Sequence, residues 1–580
     1  MEDRLTSLLP RPVSVRPLPG HFLLSRPLPV LAGPGAAGAA AVVSRALSWL
    51  PWPEGQTQAG DPDQPDSAPG SAIAVGLAAD LPAEAYRLSV SPDGVVITAG
   101  GEAGAFYAVQ TLRQLLPDEA WRSAPASGPA WAVGCAQIED VPALGWRGAH
   151  LDVARHFFPK REVLALIDAL AALKLNRLHL HLTDDQGWRI ESRRYPALQE
   201  IGSHRARTRI SVNTEEPKVY EQVPYGGYYT LADLAEIAGY AAQRMVTLVP
   251  EVEVPGHATA LLAALPELGA GPPPPGGYQV SGDWGIFPNL MSPLPRTLEF
   301  LGEIFGELLA AVPGRYVHIG GDECVLDSWR ADAAVRSHQR ALGLASAEAM
   351  HARFLREVAD LLAESFGARS LVWDEGFASA AAGGEGAGLR PDTIVMAWRG
   401  MDIALRAALA GHEVIAAPVF PTYFDYYQAD DDAEPAAIGG PVTAQDVAAL
   451  ALPDPGWPDP AAQRLAGVQF QVWTEYIRDR RQLEYMIFPR ACALAEVAWA
   501  GGPAGWTRSA AGNGAAALRD RVAAHLGRLD AAGVEYRPLD GPQPWQQGGD
   551  GPRRHRQGYR MRDVTAHLDE LAADPGRTPS

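Results

Sequence analysis

From Trp146 onward the sequence alternates short apolar segments with stretches of helical spacing, and this alternation constrains the fold more than any other feature. Eight segments read as buried strands: 146–153, 176–182, 246–251, 316–320, 370–373, 393–398, 413–418 and 467–473. Helical patterns separate most of them. The one over 163–175 begins near Pro159, a good first-turn residue. The one over 231–244 opens with Thr230 and Asp233 at capping-box spacing. Stretches 298–312, 346–366 and 482–500 follow the same logic, whereas the Ala/Gly-rich stretch after the fifth strand has no clear pattern. Eight strand–helix repeats predict an α/β architecture, a closed (β/α)8 TIM barrel.

Residues 1–140 read as a small α+β domain in front of this barrel. Stretches 85–90 and 95–98 flank Pro92-Asp93-Gly94 as a hairpin, and 104–116 has an apolar helix face. Stretch 51–70 has the composition of a disordered loop. The barrel occupies 141–504. The rest, 505–580, reads as one helix over 515–532 and a flexible tail with a weak helical signal over 563–572.

In such barrels the chemistry sits where the strands end. The residues at those ends are acids, aromatic rings and a few cations: Asp152, Arg155 and His156; Asp184, Asp185 and Trp188; Glu251, Glu253 and His257; Asp322 and Glu323; Trp373, Asp374 and Glu375; Trp398; Tyr423 and Asp425; Trp473 and Glu475. Carboxylates can bind hydroxyls and move protons, and flat rings stack on the apolar faces of sugars. The pair Asp322-Glu323 follows a strand broken by Gly320-Gly321. Neighbours on a regular strand point to opposite faces, so both acids can reach one ligand only where the strand has ended, which glycines permit.

Composition narrows the partners. The net charge of −19 argues against a nucleic-acid partner. No uninterrupted apolar run approaches membrane-spanning length. Cys135, Cys324 and Cys492 are odd in number and widely spaced, without a zinc or disulfide pattern. The start, Met1-Glu2-Asp3-Arg4-Leu5, has no basic n-region or apolar core of a secretory signal, so a cytoplasmic setting is expected, or a secreted one if a native leader precedes it.

Several ordered motifs carry a resemblance. Trp146-Arg147-Gly148 with Leu151–Phe157, His179–Arg189, Pro255-Gly256-His257 and His318–Glu323 are similar to those of the family 20 glycoside hydrolases, the β-N-acetylhexosaminidases, over about 86–499. The resemblance implies substrate-assisted catalysis, in which the sugar's own 2-acetamido oxygen attacks C1. It implies that Glu323 is the general acid/base and that Asp322 orients the acetamide with Tyr423 opposite. Trp373, Trp398 and Trp473 would wall the sugar, and Arg147, Asp425 and Glu475 would hold its hydroxyls. Asp184 and His257 would form a relay to Glu323. The implied ligand is a glycan ending in N-acetylhexosamine, with no cofactor and no metal. Asp152 and Arg155 read as a structural ion pair, His179 and His181 as core, and Trp188 as core or cleft. One departure stands out: the family commonly has Asp where this chain has Glu253. Two rival readings are a metal-dependent hydrolase built on His179, His181, His257 and Asp322, and a non-catalytic amino-sugar-binding barrel.

Overall fold

The computed structural model describes residues 2–24, 28–53, 72–125, 130–211, 217–382, 388–501 and 514–547. The N-terminal domain is a six-stranded mixed sheet. Its strands are β1 (Ser14–Leu24), β2 (Val30–Ala32), β3 (Ile73–Leu77), β4 (Tyr86–Ser91), β5 (Gly94–Ala99) and β6 (Trp131–Asp140), in the order β1-β6-β4-β5-β3-β2. The expected hairpin is β4–β5, with Ser91 paired to Gly94. Alternation along β4 buries Tyr86, Leu88 and Val90 beneath the helix Glu102–Leu115. The loop expected over 51–70 falls almost wholly outside the described residues, as does the weak helix expected over 563–572.

Eight parallel strands then close a barrel: β7 (Trp146–Asp152), β8 (Arg177–His181), β9 (Thr247–Glu251), β10 (Tyr316–His318), β11 (Arg369–Trp373), β12 (Ile394–Ala397), β13 (Val414–Ala416) and β14 (Leu465–Phe470). Each pairs with the next, and β14 returns to β7. Three of the eight strands are buried at every position and the other five at all but one, as strands covered on both faces should be. Thr230 caps the helix Leu231–Ala242 through a reciprocal box with Asp233. The single helix expected over 482–500 is two, Arg480–Ile487 and Arg490–Ala500. Pro489 divides them because it lacks an N–H and clashes with the preceding turn. Two short ladders join 201–211 to 217–229: His204-Arg205 pairs with Tyr225-Gly226 and Thr208-Arg209 with Tyr220-Glu221.

A buried polar seam joins the N-terminal domain to the strand-start end of the barrel. Asp140 accepts from Lys174 Nζ at 2.7 Å, the Tyr86 hydroxyl at 2.6 Å and Trp499 Nε1 at 2.8 Å. Arg147 reaches Glu84 at 2.8 and 3.0 Å and the Tyr107 hydroxyl at 3.0 Å. The helix Gly514–Ala531 closes the same side, with Arg528 donating to Ser7 Oγ at 2.9 Å.

Candidate active site

At the opposite end, the residues following the strands enclose a cavity of about 230 Å³. Asp322 and Glu323 lie together in its wall, with Arg155, His257, Trp373, Trp398, Tyr423, Asp425, Trp473 and Glu475 around them. The glycine break after β10 makes this possible. Gly320 and Gly321 have φ of +63° and +97°, and a Cβ on Gly320 would fall 1.7 Å from Glu253 Oε2. Glu323 itself has φ +49°, a left-handed conformation that costs a non-glycine residue about 1–3 kcal/mol and recurs at functional sites.

His257 also has a left-handed backbone, φ +47°, which turns its ring into the cavity. Its Nε2 lies 3.4 Å from Glu323 Oε2 and 3.8 Å from Asp322 Oδ2. Its Nδ1 donates to Asp185 Oδ2 at 3.0 Å and sits 3.3 Å from Asp184 Oδ1. Burial alone would lower its proton affinity, but the Asp184 charge and bonds to Asp184, Asp185 and Glu323 hold it well above the ordinary histidine value. The ring is therefore a cation beside Glu323. Asp184 lies beside this ring as expected, but Asp185, read from the sequence only as a strand-end acid, makes the shorter contact. Asp184 spends its other oxygen on Arg155 Nη2 and His181 Nε2, both at 2.8 Å.

The aromatic walls are fixed from behind. Trp373 donates its indole N–H to Glu251 Oε1 at 3.0 Å, and Trp398 donates to Glu375 Oε2 at 2.7 Å. Glu251 stays ionised despite burial because His318, His181 and His179 surround it. His181 rises to about 10, since the Glu251 and Asp184 carboxylates outweigh its burial. Trp473 packs 6.0 Å from Trp373 and 6.4 Å from Tyr423 between ring centres, with the Arg155 guanidinium 5.0 Å from its own ring. Burial, reinforced by Asp425, holds the Tyr423 hydroxyl well above its ordinary value, so it remains a donor.

Polar groups at the far side are under-used. Both oxygens of Asp425 are buried without a hydrogen-bond partner among the described residues. Burial and then the Glu475 charge push Asp425 well up. Burial likewise raises Glu475, against the pull of Arg155. Groups left this way suit a ligand rich in hydroxyls.

One expected site residue lies elsewhere. Arg147 is wholly buried at the start of β7, where it bonds Glu84, Tyr107 and the Leu144 and Lys174 carbonyls. It belongs to the domain seam, and the expectation that it holds sugar hydroxyls is corrected. As the second residue of its strand it stands a strand length from the rim. The arginine that lines the cavity is Arg155, three residues past the end of β7. It does pair with Asp152, at 3.3 Å, but it also lines the cavity. Trp188 is core, with its indole on the Ile190 carbonyl.

Among the described residues, three groupings bring carboxylate and imidazole atoms within 4.8 Å: His150, His179 and Glu251; His181, Glu251 and Glu253; Asp184, Asp185 and His257. In the first, His179 Nε2 and Glu251 Oε2 lie 3.0 Å apart, and burial lowers His179 to about 4.

Comparison with known proteins agrees with this geometry. Residues 144–502 match the glycosyl hydrolase family 20 catalytic domain and 5–141 match domain 2 of the same family. A β-hexosaminidase of Porphyromonas gingivalis is 36% identical over 434 residues, 74% of this chain and 53% of that protein, so the chain spans about half of that relative. A β-hexosaminidase of Akkermansia muciniphila is 32% identical over 82% of this chain and 91% of its own length. Among solved structures, the Vibrio harveyi exo-β-N-acetylglucosaminidase in complex with N-acetylglucosamine superposes with a TM-score of 0.74 at 30% identity, covering 92% of this chain and 78% of that one. The Streptomyces plicatus N-acetyl-β-hexosaminidase gives 0.73 at 31% identity, over 93% and 98%. With both its domains matched in order and the glycine-broken acid pair at the barrel mouth, the chain belongs to glycosyl hydrolase family 20.

Proposed function

We propose that the protein is a retaining β-N-acetylhexosaminidase that removes a terminal β-linked N-acetylhexosamine with the help of the substrate's own acetamido group. The observation that carries this reading is the pairing of Asp322 and Glu323 in one cavity with Tyr423 and three tryptophans. Of the adjacent pair, Glu323 is the more open to a leaving oxygen, with its side chain 30% exposed against 11% for Asp322. Glu323 protonates the glycosidic oxygen and then takes a proton from water. Asp322 accepts the acetamido N–H and offsets the charge that grows as the ring closes. The Tyr423 hydroxyl donates to the acetamido oxygen, and Trp373, Trp398 and Trp473 keep water from the cyclic intermediate. The His257 ring lies beside Glu323 and orients its carboxyl, and Asp184 and Asp185 hold that ring. Arg155, Asp425 and Glu475 take the ring hydroxyls.

The cavity is smaller than the roughly 300–1,000 Å³ of sites that enclose drug-sized ligands. That supports a terminal sugar rather than an internal stretch of chain. Hydrolysis of an aryl N-acetyl-β-glucosaminide, followed by NMR, tests the reading: the first product should keep the β configuration. Efficient cleavage of the matching glucoside, which has a 2-hydroxyl, would falsify it.

A further inference from the structure

Asp425 is offered to the sugar hydroxyls, yet no side chain steers it: neither carboxyl oxygen has a hydrogen-bond partner among the described residues. Its aim therefore depends on the main chain that carries it. Three consecutive carbonyls of that chain are held. Arg490 Nη2 donates to Phe424 O at 2.6 Å and Arg490 Nη1 donates to Tyr426 O at 2.8 Å. Between them, the Asp425 carbonyl accepts from the Ile438 N–H at 3.3 Å. The peptide planes on both sides of the Asp425 Cα are thus pinned, and a residue has no soft main-chain rotation beyond those two.

Arg490 is wholly buried at the start of the helix Arg490–Ala500. Its remaining N–H groups reach Val442 O at 3.1 Å and Met486 O at 2.6 and 3.2 Å. All five donors of the guanidinium end on four main-chain carbonyls, and none on a carboxylate. One fork therefore ties the loop after β13 at both 424–426 and 442, and anchors it to the turn before its own helix. A buried cation without an ion partner is costly. Burial brings Arg490 down to about 9, against the pull of Asp425 and Glu434. A lysine would be a point charge with three donors and could not span these carbonyls in the same way. The tip of the loop has its own anchor: Glu434 accepts from Arg537 Nε at 2.6 Å and from the Tyr485 hydroxyl at 2.8 Å.

We propose that Arg490 is a positioning residue for Asp425: by fixing the carbonyls on either side, it aims a carboxylate that no side chain holds at the sugar hydroxyls before the sugar arrives. This rests on the function proposed above and deepens it.

The test uses the full chain with Asp425→Ala, Arg490→Lys and the double variant, and with Arg537→Leu, which cuts only the anchor at the loop tip. Arg490→Lys keeps a charge and loses the fork. It should lower kcat/KM for the aryl N-acetyl-β-glucosaminide roughly 10- to 100-fold, chiefly through KM, but by less than about threefold in the Asp425→Ala background. Arg537→Leu should lower the melting temperature while kcat/KM stays within about threefold of the parent. Equal losses in both backgrounds, or a loss in Arg537→Leu that matches the one in Arg490→Lys, overturn the inference. Amide hydrogen exchange on the parent is a second reading that stands even if Arg490→Lys does not fold. The Phe424 and Tyr427 amides, each 2.7 Å from its acceptor on Gln471 and Gly439, should be protected in the free protein and gain little when the thiazoline analogue of N-acetylglucosamine binds. Protection that appears only on binding overturns the inference. A parent that neither cleaves the aryl substrate nor binds the thiazoline overturns the proposed function, and this inference with it. A parent that does both, with Asp425→Ala unimpaired, overturns this inference alone.

Discussion

Burial pushes the Asp322 carboxyl up to about 7; the charges of Glu323 and Glu251 add to this and the His257 cation opposes it. Folding therefore carries a penalty that is absent below the ordinary carboxylate value, grows as pH rises toward 7 and is complete above it. Asp322→Asn should remove that penalty. The variant is expected to be more stable than the parent above pH 7, by an amount on the order of a few kcal/mol, and to differ little below pH 4. Denaturant melts at pH 4 and pH 8 check the sign. Its turnover should fall in parallel, because the acetamide loses an aligning charge. Glu323→Gln is expected to lower kcat by roughly 10²–10⁴ where protonation of the leaving group limits the rate. An activated leaving group, such as a fluoride or dinitrophenolate, should recover part of that loss in the first step. Residue identity made this pair readable from sequence, because Gly-Gly-Asp-Glu after an apolar run says where the strand stops. Asp185 and Glu253 were less readable, since a choice between adjacent acids depends on backbone turns that spacing does not encode.

Strand β7 separates two arginines by function. Arg147, near its start, meets Glu84 and Tyr107, whereas Arg155, past its end, meets Asp184 and the Trp473 ring. Arg155→Leu should raise KM and lower kcat/KM by roughly 10- to 100-fold, because a charged donor to the sugar hydroxyls is lost. Arg147→Met should leave KM for the aryl substrate within error while lowering the melting temperature. Steady-state kinetics and thermal melts on the two variants separate these outcomes. The strands themselves were legible because each is a short run rich in apolar residues between helical stretches, and each reading fell within a few residues of the observed element. The eighth strand ends at Phe470, three residues short of the reading, because Gln471 leaves the ladder to bridge Tyr423. The helix over 482–500 was misread because its apolar spacing runs straight through Pro489. Local breaking there outweighs the periodicity.

For the whole molecule, the seam around Asp140 decides whether two domains behave as one. Lys174 is 0% exposed, and burial lowers its proton affinity against the pull of Asp140. Asp140→Ala would leave that ammonium without its carboxylate and strip acceptors from Tyr86 and Trp499. Breaking one partner of a buried pair costs about 3–5 kcal/mol. The variant is expected to unfold in two calorimetric transitions where the parent shows one, and a single unchanged transition would contradict this. The seam was invisible in the sequence because its members, Glu84, Asp140, Arg147, Lys174 and Trp499, come from stretches that only the closed barrel brings together. Its placement has a practical consequence. The hinge-side chemistry that keeps the chain whole and the mouth that meets the glycan share no side chain. Remodelling the mouth loops to accept a different sugar is thus a problem of recognition alone, and a library confined to that end should yield folded proteins at a rate set by the loops themselves.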